Sequence, residues 1–329
     1  MARTTFIARA PAGIAILVGI LTVGSLVIVL ARADVISESN AGSTVVDETY
    51  VQSPLMRVAA EVPAGARTTP HPMLLTLGGP VYCGQLRRLA LRLRASLVCA
   101  DYGRNGDTGK GTRALRREDW GDPTYLATAA RLPDRLRADG VKVSKLILVG
   151  VSYSGFANAE LVATHPEMHP SALIIVDSYL DLGARFNALP PHHITRVEIR
   201  RALGGTPTAR PAVYASRSPS GHLDGLATAI RGGMRLVVVW SVAPAERREF
   251  RGATCSKRAN AVWLARLATE LGSPIDGYVT RLRHAHALWD RGATLVALAG
   301  IGHAIKPLAA EHLQFHPRTP PPRRSYCRA

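Results

Sequence analysis

The chain has 329 residues, of which 47% are hydrophobic and 5% aromatic, and its formal net charge is +17. This composition excludes a collagen-like, repetitive or largely disordered chain, and it suffices for one sizeable core of roughly 250 residues. Most basic residues are arginines scattered along the chain, and aromatic residues are few, so no nucleic-acid partner is expected.

The first apolar segment is residues 11–31, which contain no charged side chain. A helix of about 20 apolar residues spans the hydrocarbon core of a bilayer. Arg3 and Arg9 precede the segment, which predicts a cytoplasmic N-terminus and an extracytoplasmic body. A cleaved signal peptide is the alternative, because Ala31-Arg32-Ala33 fits a cleavage site. We therefore expect residues 1–32 to be a transmembrane anchor, or else to be removed on secretion.

The remaining chain divides by composition into a linker, a domain and a tail. Residues 33–50 are polar and are predicted to be a linker, and residues 314–329 form a basic, proline-rich tail. The domain between them covers residues 51–313. An exported chain permits disulfides, and the four cysteines allow three pairings, among which the sequence does not decide.

Short, continuous apolar runs alternate with helical stretches through this domain. Continuous runs are typical of strands that are buried on both faces, as in a parallel sheet covered by helices. The pattern predicts an α/β fold with a doubly wound, mostly parallel sheet. The predicted strands are residues 73–77, 95–100, 146–149, 172–176, 236–240 and 294–299.

Helix signals lie between these runs. Asp122-Pro123 is typical of a helix start. Pro133 predicts that this helix kinks or ends near residue 133. Two further helices are predicted over residues 154–164 and 260–271. The alternation breaks down between about residues 180 and 233, which predicts a cap insertion over a site.

The segment from Gly150 to Gly155 joins a predicted strand to a predicted helix and contains Ser152. A serine on such a sharp turn projects its hydroxyl above the sheet edge, and the residues two before and two after it must be small. Gly150 and Ser154 meet this condition, so Ser152 is predicted to be a nucleophile. Ser154 is a disfavoured alternative, because the bulky Phe156 follows it at the second position, and an ordinary strand–helix turn of a nucleotide-binding sheet is another.

His303 is the candidate general base. It follows a predicted apolar strand on a glycine-flanked turn near the end of the chain, unlike the other histidines. The pairs His192-His193 and His284/His286 have spacings conceivable for a metal, but solvated side chains are the simpler interpretation. We expect neither a metal nor an organic cofactor.

These segments together resemble the α/β-hydrolase superfamily, over about residues 50–312. The resemblance implies an acyl-enzyme mechanism in which Ser152 attacks a carbonyl and His303 transfers the proton. It also implies that the backbone N–H groups of Tyr153 and Gly79 hold the oxyanion. The matching segments are residues 150–154 (nucleophile elbow), 77–80 (oxyanion loop), 101–107 (Asp-x-Arg-Gly-x-Gly turn) and 300–303 (Gly-x-Gly-His).

The catalytic acid departs from the superfamily pattern. The loop after Trp240, where the acid usually lies, contains Glu246 and Glu249 but no aspartate. Some hydrolases of this fold place the acid one strand earlier, where this chain has Asp177. We expect Asp177 to be the acid, with Glu246 or Glu249 as the alternative.

The resemblance predicts a serine hydrolase acting on an ester, thioester or amide, with a small-molecule or lipid-like acyl substrate. An acyltransferase would use the same residues and admit a different acceptor. The missing standard acid also keeps open a catalytically inactive binding protein of the same fold.

Overall fold

The computed structural model describes residues 36–38, 43–48, 57–78, 80–101, 120–241, 251–280, 295–297, 299–301 and 310–317. These residues lie in one compact unit that begins at Asp34. The predicted anchor, residues 1–32, lies outside the described residues. Within the described ranges, no helix combines the length and the apolar composition that crossing a membrane requires.

The described strands form one ten-stranded sheet. Its centre is parallel, and its two margins are antiparallel. Along the sheet the order is β1-β2-β3-β5-β4-β6-β7-β8-β9-β10. The strands are β1 (Ile36–Glu38), β2 (Ser43–Glu48), β3 (Arg57–Pro63), β4 (His71–Leu77), β5 (Ser96–Asp101), β6 (Val143–Val151), β7 (Ala172–Val176), β8 (Arg235–Ser241), β9 (Ile275–Thr280) and β10 (Ala310–Phe315).

Five of the six predicted strands are confirmed as β4 to β8, and the mostly parallel α/β sheet with them. The sixth prediction is wrong, because residues 295–297 form a helical turn and not a strand. Leu295, Val296, Ala299 and Ile301 are buried in an apolar cluster on one face of the sheet. A short apolar run satisfies a buried helical turn as well as a buried strand, so periodicity alone could not separate the two.

The predicted linker, residues 33–50, also needs correction. It contains β1 and β2, and β2 pairs with β3 along its whole length. The segment Ser43–Glu48 has the sequence STVVDE, in which two β-branched valines lie between polar residues. Such a polar sequence suits a strand near the sheet margin, and its polarity led to the linker prediction.

Helices cover both faces of the sheet. On one face, α4 and α8 pack with α9, while α1 packs on the opposite face beside residues 295–301. Alternate residues along a strand pack against the helices of opposite faces, as Leu74 and Leu75 of β4 do. The helices are α1 (Pro80–Leu93), α2 (Pro123–Ala130), α3 (Leu132–Ala138), α4 (Tyr153–Thr164), α5 (Leu182–Ala188), α6 (Ile194–Ala202), α7 (Pro211–Ser216), α8 (Leu223–Arg231) and α9 (Arg251–Leu271).

The helix signals in the sequence are confirmed, but α9 begins at Arg251 and not at the predicted residue 260. Asp122 caps α2 by accepting hydrogen bonds from the N–H groups of Thr124 and Tyr125. A break then separates α2 from α3, whose second residue is Pro133. Gly272, with a φ of 70°, follows the last residue of α9.

The predicted cap region holds four helices. We call α5, α6 and α7 the cap helices. The fourth, α8, packs against α4 and α9 and belongs to the layer that covers the sheet. Its close approach to α4 is visible at Gly225, where an added Cβ would lie 1.9 Å from the Ala163 carbonyl oxygen. Part of the predicted cap insertion, residues 180–233, therefore packs against the helices that cover the sheet.

One disulfide, between Cys83 and Cys99, joins α1 to β5. The two residues are 16 positions apart, and their Cα atoms are 5.7 Å apart. The bond fixes the start of α1 against the sheet, just after the predicted oxyanion loop.

Candidate functional site

Ser152 lies on the turn between β6 and α4. Its φ is 54° and its ψ is −121°, a conformation that residues with a side chain rarely adopt. The turn is held by its neighbours, because the Ser152 N–H donates to the Val176 carbonyl (3.0 Å) and the Ser178 hydroxyl donates to the Ser152 carbonyl (2.5 Å). The strained backbone is thus fixed by residues of the adjacent strand end.

Glycine is required at two positions around this turn. A Cβ added at Gly150 would lie 2.4 Å from the carbonyl carbon and oxygen of Ser154. A Cβ at Gly155 would lie 2.8 Å from the Ser178 Cβ. The close passage of strand and helix, which the sequence pattern predicts, is confirmed.

Ser154, the alternative nucleophile, is fully buried. Its hydroxyl lies 2.6 Å from the hydroxyl of Thr76, which is also buried in β4. A hydroxyl enclosed in this way cannot reach a substrate, whereas Ser152 is partly exposed. The geometry therefore favours Ser152 over Ser154.

Asp177 directly follows β7 and lies beside this turn in the sheet. Val176 is the register partner of Val151, and the Asp177 N–H donates to the Val239 carbonyl of β8 (2.6 Å). The side chain is only 1% exposed, and its Oδ1 accepts the Ser241 N–H at 3.0 Å. The carboxylate is thus held between the ends of β7 and β8, at the same sheet edge as Ser152.

The predicted oxyanion donors come from two elements. Tyr153 is the first residue of α4, so its N–H belongs to the positive end of a 12-residue helix. Gly79 lies outside the described residues. The strand before it is fixed, because the Leu77 N–H donates to the buried Asn158 side chain of α4 (3.1 Å) and the Gly78 N–H donates to the Ala100 carbonyl (3.0 Å).

His303 lies outside the described residues, as do Glu246 and Glu249, the alternative acids. The ends of the segment that carries His303 are nevertheless fixed. Thr280 ends β9 and Ala310 begins β10, and these two residues are register partners. Ser241 and Thr280 are partners as well, so residues 281–309 leave and re-enter the sheet at the edge that holds Ser152 and Asp177.

Chain length limits how far the candidate histidines can lie from this edge. A residue advances a chain by at most about 3.6 Å, so His303, seven positions before Ala310, lies within roughly 25 Å of it. His284 and His286 follow Thr280 by four and six positions, within roughly 14 and 22 Å. All three histidines therefore belong to a segment that starts and ends at the candidate site.

Three supporting residues of the site were not predicted from the sequence. Asn158 orients the strand before the oxyanion loop, and Asn260 of α9 donates from its side chain to the Ser178 carbonyl (2.9 Å). Ser178 in turn holds the carbonyl of Ser152. An asparagine between apolar neighbours in a predicted helix is the signal that could have found the first two, since such a side chain needs a partner when it is buried.

An aromatic cluster packs beside the turn. Trp120 makes an edge contact with Tyr153 (ring centroids 5.3 Å apart), and Phe156 stacks on Tyr179 (5.5 Å). Trp120 is fully buried, and within the described part of the chain its indole N–H has no acceptor. The cluster fixes the residue after Ser152 and the second residue after Asp177 relative to each other.

No protein-family model matches the chain, and no curated protein matches it in sequence. Solved structures are similar in fold. An S-formylglutathione hydrolase from Agrobacterium tumefaciens has a TM-score of 0.54 and 15% identity, over 82% of this chain and 99% of that chain. Brefeldin A esterase, a bacterial homologue of human hormone sensitive lipase, has a TM-score of 0.52 and 17% identity, over 84% of this chain and 78% of that chain.

A third similar structure is the uncomplexed acylaminoacyl peptidase of Pyrococcus horikoshii. Its TM-score is 0.53 and its identity 11%, over 77% of this chain and 41% of that chain. At such low identities the similarity concerns the fold. The sheet order, the turn at Ser152 and these similarities together show that the protein has the α/β-hydrolase fold.

Proposed function

We propose that the protein is a serine hydrolase that cleaves an ester, thioester or amide through an acyl-enzyme on Ser152. The observation that carries the proposal is the strained backbone of Ser152 between β6 and α4. Such strain persists only where the surroundings enforce it, and it clusters at functional sites. Here the enforcing contacts come from Gly150, Gly155 and Ser178.

The proposed chemistry has two halves. The Ser152 Oγ attacks the substrate carbonyl while the imidazole of His303 takes its proton, and the proton then passes to the leaving group. In the second half, His303 takes a proton from the attacking water, the bond between the acyl group and the Ser152 Oγ breaks, and the proton passes to that oxygen. The N–H groups of Tyr153 and Gly79 stabilise the negative charge on the carbonyl oxygen of both tetrahedral intermediates.

In this proposal Asp177 orients and stabilises the imidazolium. The support is its burial and its position at the end of β7, one strand from Ser152. A buried carboxylate that already accepts a backbone N–H is fixed in place, which favours a defined imidazole orientation.

Two alternatives use the same scaffold. An acyltransferase would follow the first half of the mechanism and admit an alcohol or amine in place of water. An inactive binding protein would keep the fold without turnover, and the absence of aspartate from the sequence between Ser241 and Glu249 keeps this alternative open. We favour hydrolysis, because the similar structures named above include a hydrolase and an esterase.

We further propose that the catalytic domain works outside the cytoplasmic membrane. The support is the uncharged segment 11–31 and the disulfide between Cys83 and Cys99, since disulfides persist mainly in oxidising compartments. Sequencing the N-terminus of the mature protein tests whether residues 1–32 remain as an anchor or are removed.

The direct test of function is hydrolysis of p-nitrophenyl esters from acetate to palmitate. We expect turnover by the wild-type protein and a loss of about 10⁴-fold or more in kcat for Ser152→Ala. Ser154→Ala is the matched control, and we expect it to retain turnover. Undiminished hydrolysis by Ser152→Ala contradicts the proposal. Absence of turnover by the folded wild-type protein favours the binding-protein alternative.

The base is tested by comparing three alanine variants. We expect His303→Ala to abolish ester hydrolysis, while His284→Ala and His286→Ala retain it. If instead His303→Ala is active and one of the other two variants is inactive, the role of base passes to the histidine replaced in that variant.

A further inference from the structure

A cleft of about 100 Å³ opens between the cap helices α5 and α6, and none of its lining residues belongs to β6, α4 or β7. We call it the cap cleft. Its size suits a group of roughly four to six non-hydrogen atoms, since a cavity of about 150 Å³ holds a benzene molecule. Its lining residues are Phe186, Pro191, Arg196, Val197, Arg200 and Thr206.

Two arginines of α6 line the cleft. Arg196 and Arg200 are one helical turn apart, so their like charges destabilise the helix unless an anion lies between them. Within the described residues, neither arginine forms an ion pair. Glu198 lies two positions from each, and residues at that spacing do not share a helix face.

The phenol of Tyr214 does not supply the missing negative charge. Burial raises the pKa of Tyr214 to about 12, although Arg196 and Arg200 act on it in the opposite direction. The phenol is therefore neutral near pH 7, and its O–H donates to the Gly205 carbonyl (2.9 Å). The phenol therefore does not neutralise the positive charges of Arg196 and Arg200.

The cleft is held in shape before any ligand binds. Arg196 donates from Nη1 to the Leu189 carbonyl (2.7 Å), and its guanidinium lies 4.5 Å from the centre of the Phe186 ring. The end of α6 is fixed by the Gly205 N–H, which donates to the Arg200 carbonyl (2.9 Å). A preformed site loses less entropy when a ligand binds, which favours affinity for a small group.

The walls combine charge with apolar surface. Phe186, Pro191 and Val197 provide apolar contacts, while the Thr206 hydroxyl is a further donor. A bare inorganic anion would use the cations and leave the apolar wall uncovered. A short organic anion uses both.

We propose that the cap cleft binds a small organic anion, whose carboxylate lies between Arg196 and Arg200 and whose short apolar part contacts Phe186 and Val197. The binding is non-covalent and does not depend on hydrolysis at Ser152.

The test is a ligand-observed NMR titration of the full chain with butyrate, and with butyramide as the uncharged isostere. We expect saturable butyrate binding in the millimolar range, at least about 10-fold tighter than butyramide, because charge-assisted hydrogen bonds are the stronger ones. Ser152→Ala retains the binding, which separates the cleft from the hydrolytic site.

Arg200→Gln is the decisive variant, since Arg200 is exposed and its loss leaves the packing of Phe186 intact. We expect it to weaken butyrate binding at least about 10-fold. Arg201→Gln is the matched control, with the same change of charge one position along α6, and we expect no such loss. Equal losses in the two variants, no loss in Arg200→Gln, no saturable butyrate binding, or tighter binding of inorganic phosphate than of butyrate would each overturn the proposal.

Discussion

At the scale of single residues, Ser152 and Asp177 share an uncommon property. Their φ values are 54° and 51°, so two neighbouring parallel strands each end in a left-handed, non-glycine residue. Each such residue costs of order 1–3 kcal/mol of strain. Both backbones are held by hydrogen bonds to the next strand, from Ser152 to Val176 and from Asp177 to Val239. The sheet edge thus maintains the two side chains in fixed positions.

Gly150→Ala tests the close passage of β6 and α4. The added methyl would meet the backbone of Ser154 at 2.4 Å, so strand or helix must move. We expect a loss of roughly 1–3 kcal/mol in the free energy of unfolding, together with reduced ester hydrolysis, because Ser152 moves with the turn. Chemical denaturation and initial rates measure the two effects.

Gly84→Ala is the control for this substitution. Gly84 lies in α1, and an added Cβ there meets nothing within 4 Å. Alanine is the better helix former by about 0.5–1 kcal/mol, so this variant should be as stable as the wild type or more so. Equal stability of Gly150→Ala and Gly84→Ala would refute the crowded turn.

Asp177→Asn tests the assignment of the acid. Asparagine keeps an oxygen that can accept the Ser241 N–H, so we expect the fold to persist. Loss of the charge should lower kcat by up to about 10⁴-fold, as expected when an imidazole loses its orienting carboxylate. Glu246→Gln and Glu249→Gln should retain activity. The opposite pattern, with Asp177→Asn active and one glutamate variant inactive, would reassign the acid.

The residues that could be predicted from the sequence are those whose role depends on the local backbone. Gly150 and Ser152 lie within a few positions of each other, and a tight strand–helix turn restricts both. The contact of Thr76 with Ser154 spans 78 positions, and that of Leu77 with Asn158 spans 81. Such pairs depend on which strands become neighbours, which no local pattern encodes.

At the scale of elements, we expect the start of α6 to be sensitive to pH. The Nδ1 atom of His193 accepts the Thr195 N–H at 3.2 Å and caps the helix, which requires an unprotonated nitrogen. Burial, and secondarily the charge of Arg185, lower the pKa of His193. This side chain therefore caps the helix, whereas the sequence suggested a solvated residue or a metal ligand.

The sign of the pH effect follows from the lowered pKa. Above the pKa of the unfolded chain neither state binds the proton, and the cap contributes fully. As pH falls, the unfolded chain takes up the proton first, so the contribution is lost through the lower pKa of the folded state. We expect the Tm of the wild type to fall more steeply from about pH 8 to about pH 5 than that of His193→Asn, since asparagine caps helices at any pH in this range. Parallel Tm profiles of the two proteins would contradict this prediction.

The disulfide couples α1 to β5. A disulfide that closes a loop of about 15 residues stabilises the folded protein by roughly 3 kcal/mol. Cys83 and Cys99 are 16 positions apart. We expect reduction, or Cys83→Ser, to lower the Tm by several degrees, whereas Cys255→Ser leaves the effect of reductant unchanged. Peptide mapping without reductant should recover the two cysteines in one linked fragment, and their recovery as free thiols would rule the disulfide out.

Some elements were predictable and others were not. Strands such as β7, whose five residues are all buried, carry a continuous apolar run that their burial on both faces dictates. β9 and β10 were missed because polar and apolar residues mix along them, as in Ile275–Thr280 with Asp276 and Gly277 in its interior. Marginal strands have fewer buried positions, so their patterns are less distinct.

At the scale of the whole molecule, the topology brings distant segments to one edge. β6, β7, β8 and β9 run parallel, so the ends at Val151, Val176, Ser241 and Thr280 lie side by side. Catalytic side chains of open α/β sheets gather at this carboxyl edge. The proposed nucleophile, the proposed acid and both ends of the segment with the histidine candidates lie at this edge, although they are far apart in the chain.

The fold class was predictable because the order of apolar strands and helices encodes it. The position of His303 was not predictable. Its prediction relied on a strand at residues 294–299, whereas the structure has a helical turn at residues 295–297. Its place in the mechanism now depends on the two fixed ends of residues 281–309.

The proposed mechanism requires that the hydroxyl of Ser152 is an activated nucleophile. A fluorophosphonate probe measures this directly, because an activated serine displaces fluoride and forms a stable phosphonyl adduct. We predict that the full-length protein acquires one adduct, which mass spectrometry locates on Ser152. Ser154→Ala should still be labelled and Ser152→Ala should not. Undiminished labelling of Ser152→Ala, or an adduct on another residue of the wild-type protein, would contradict this mechanism.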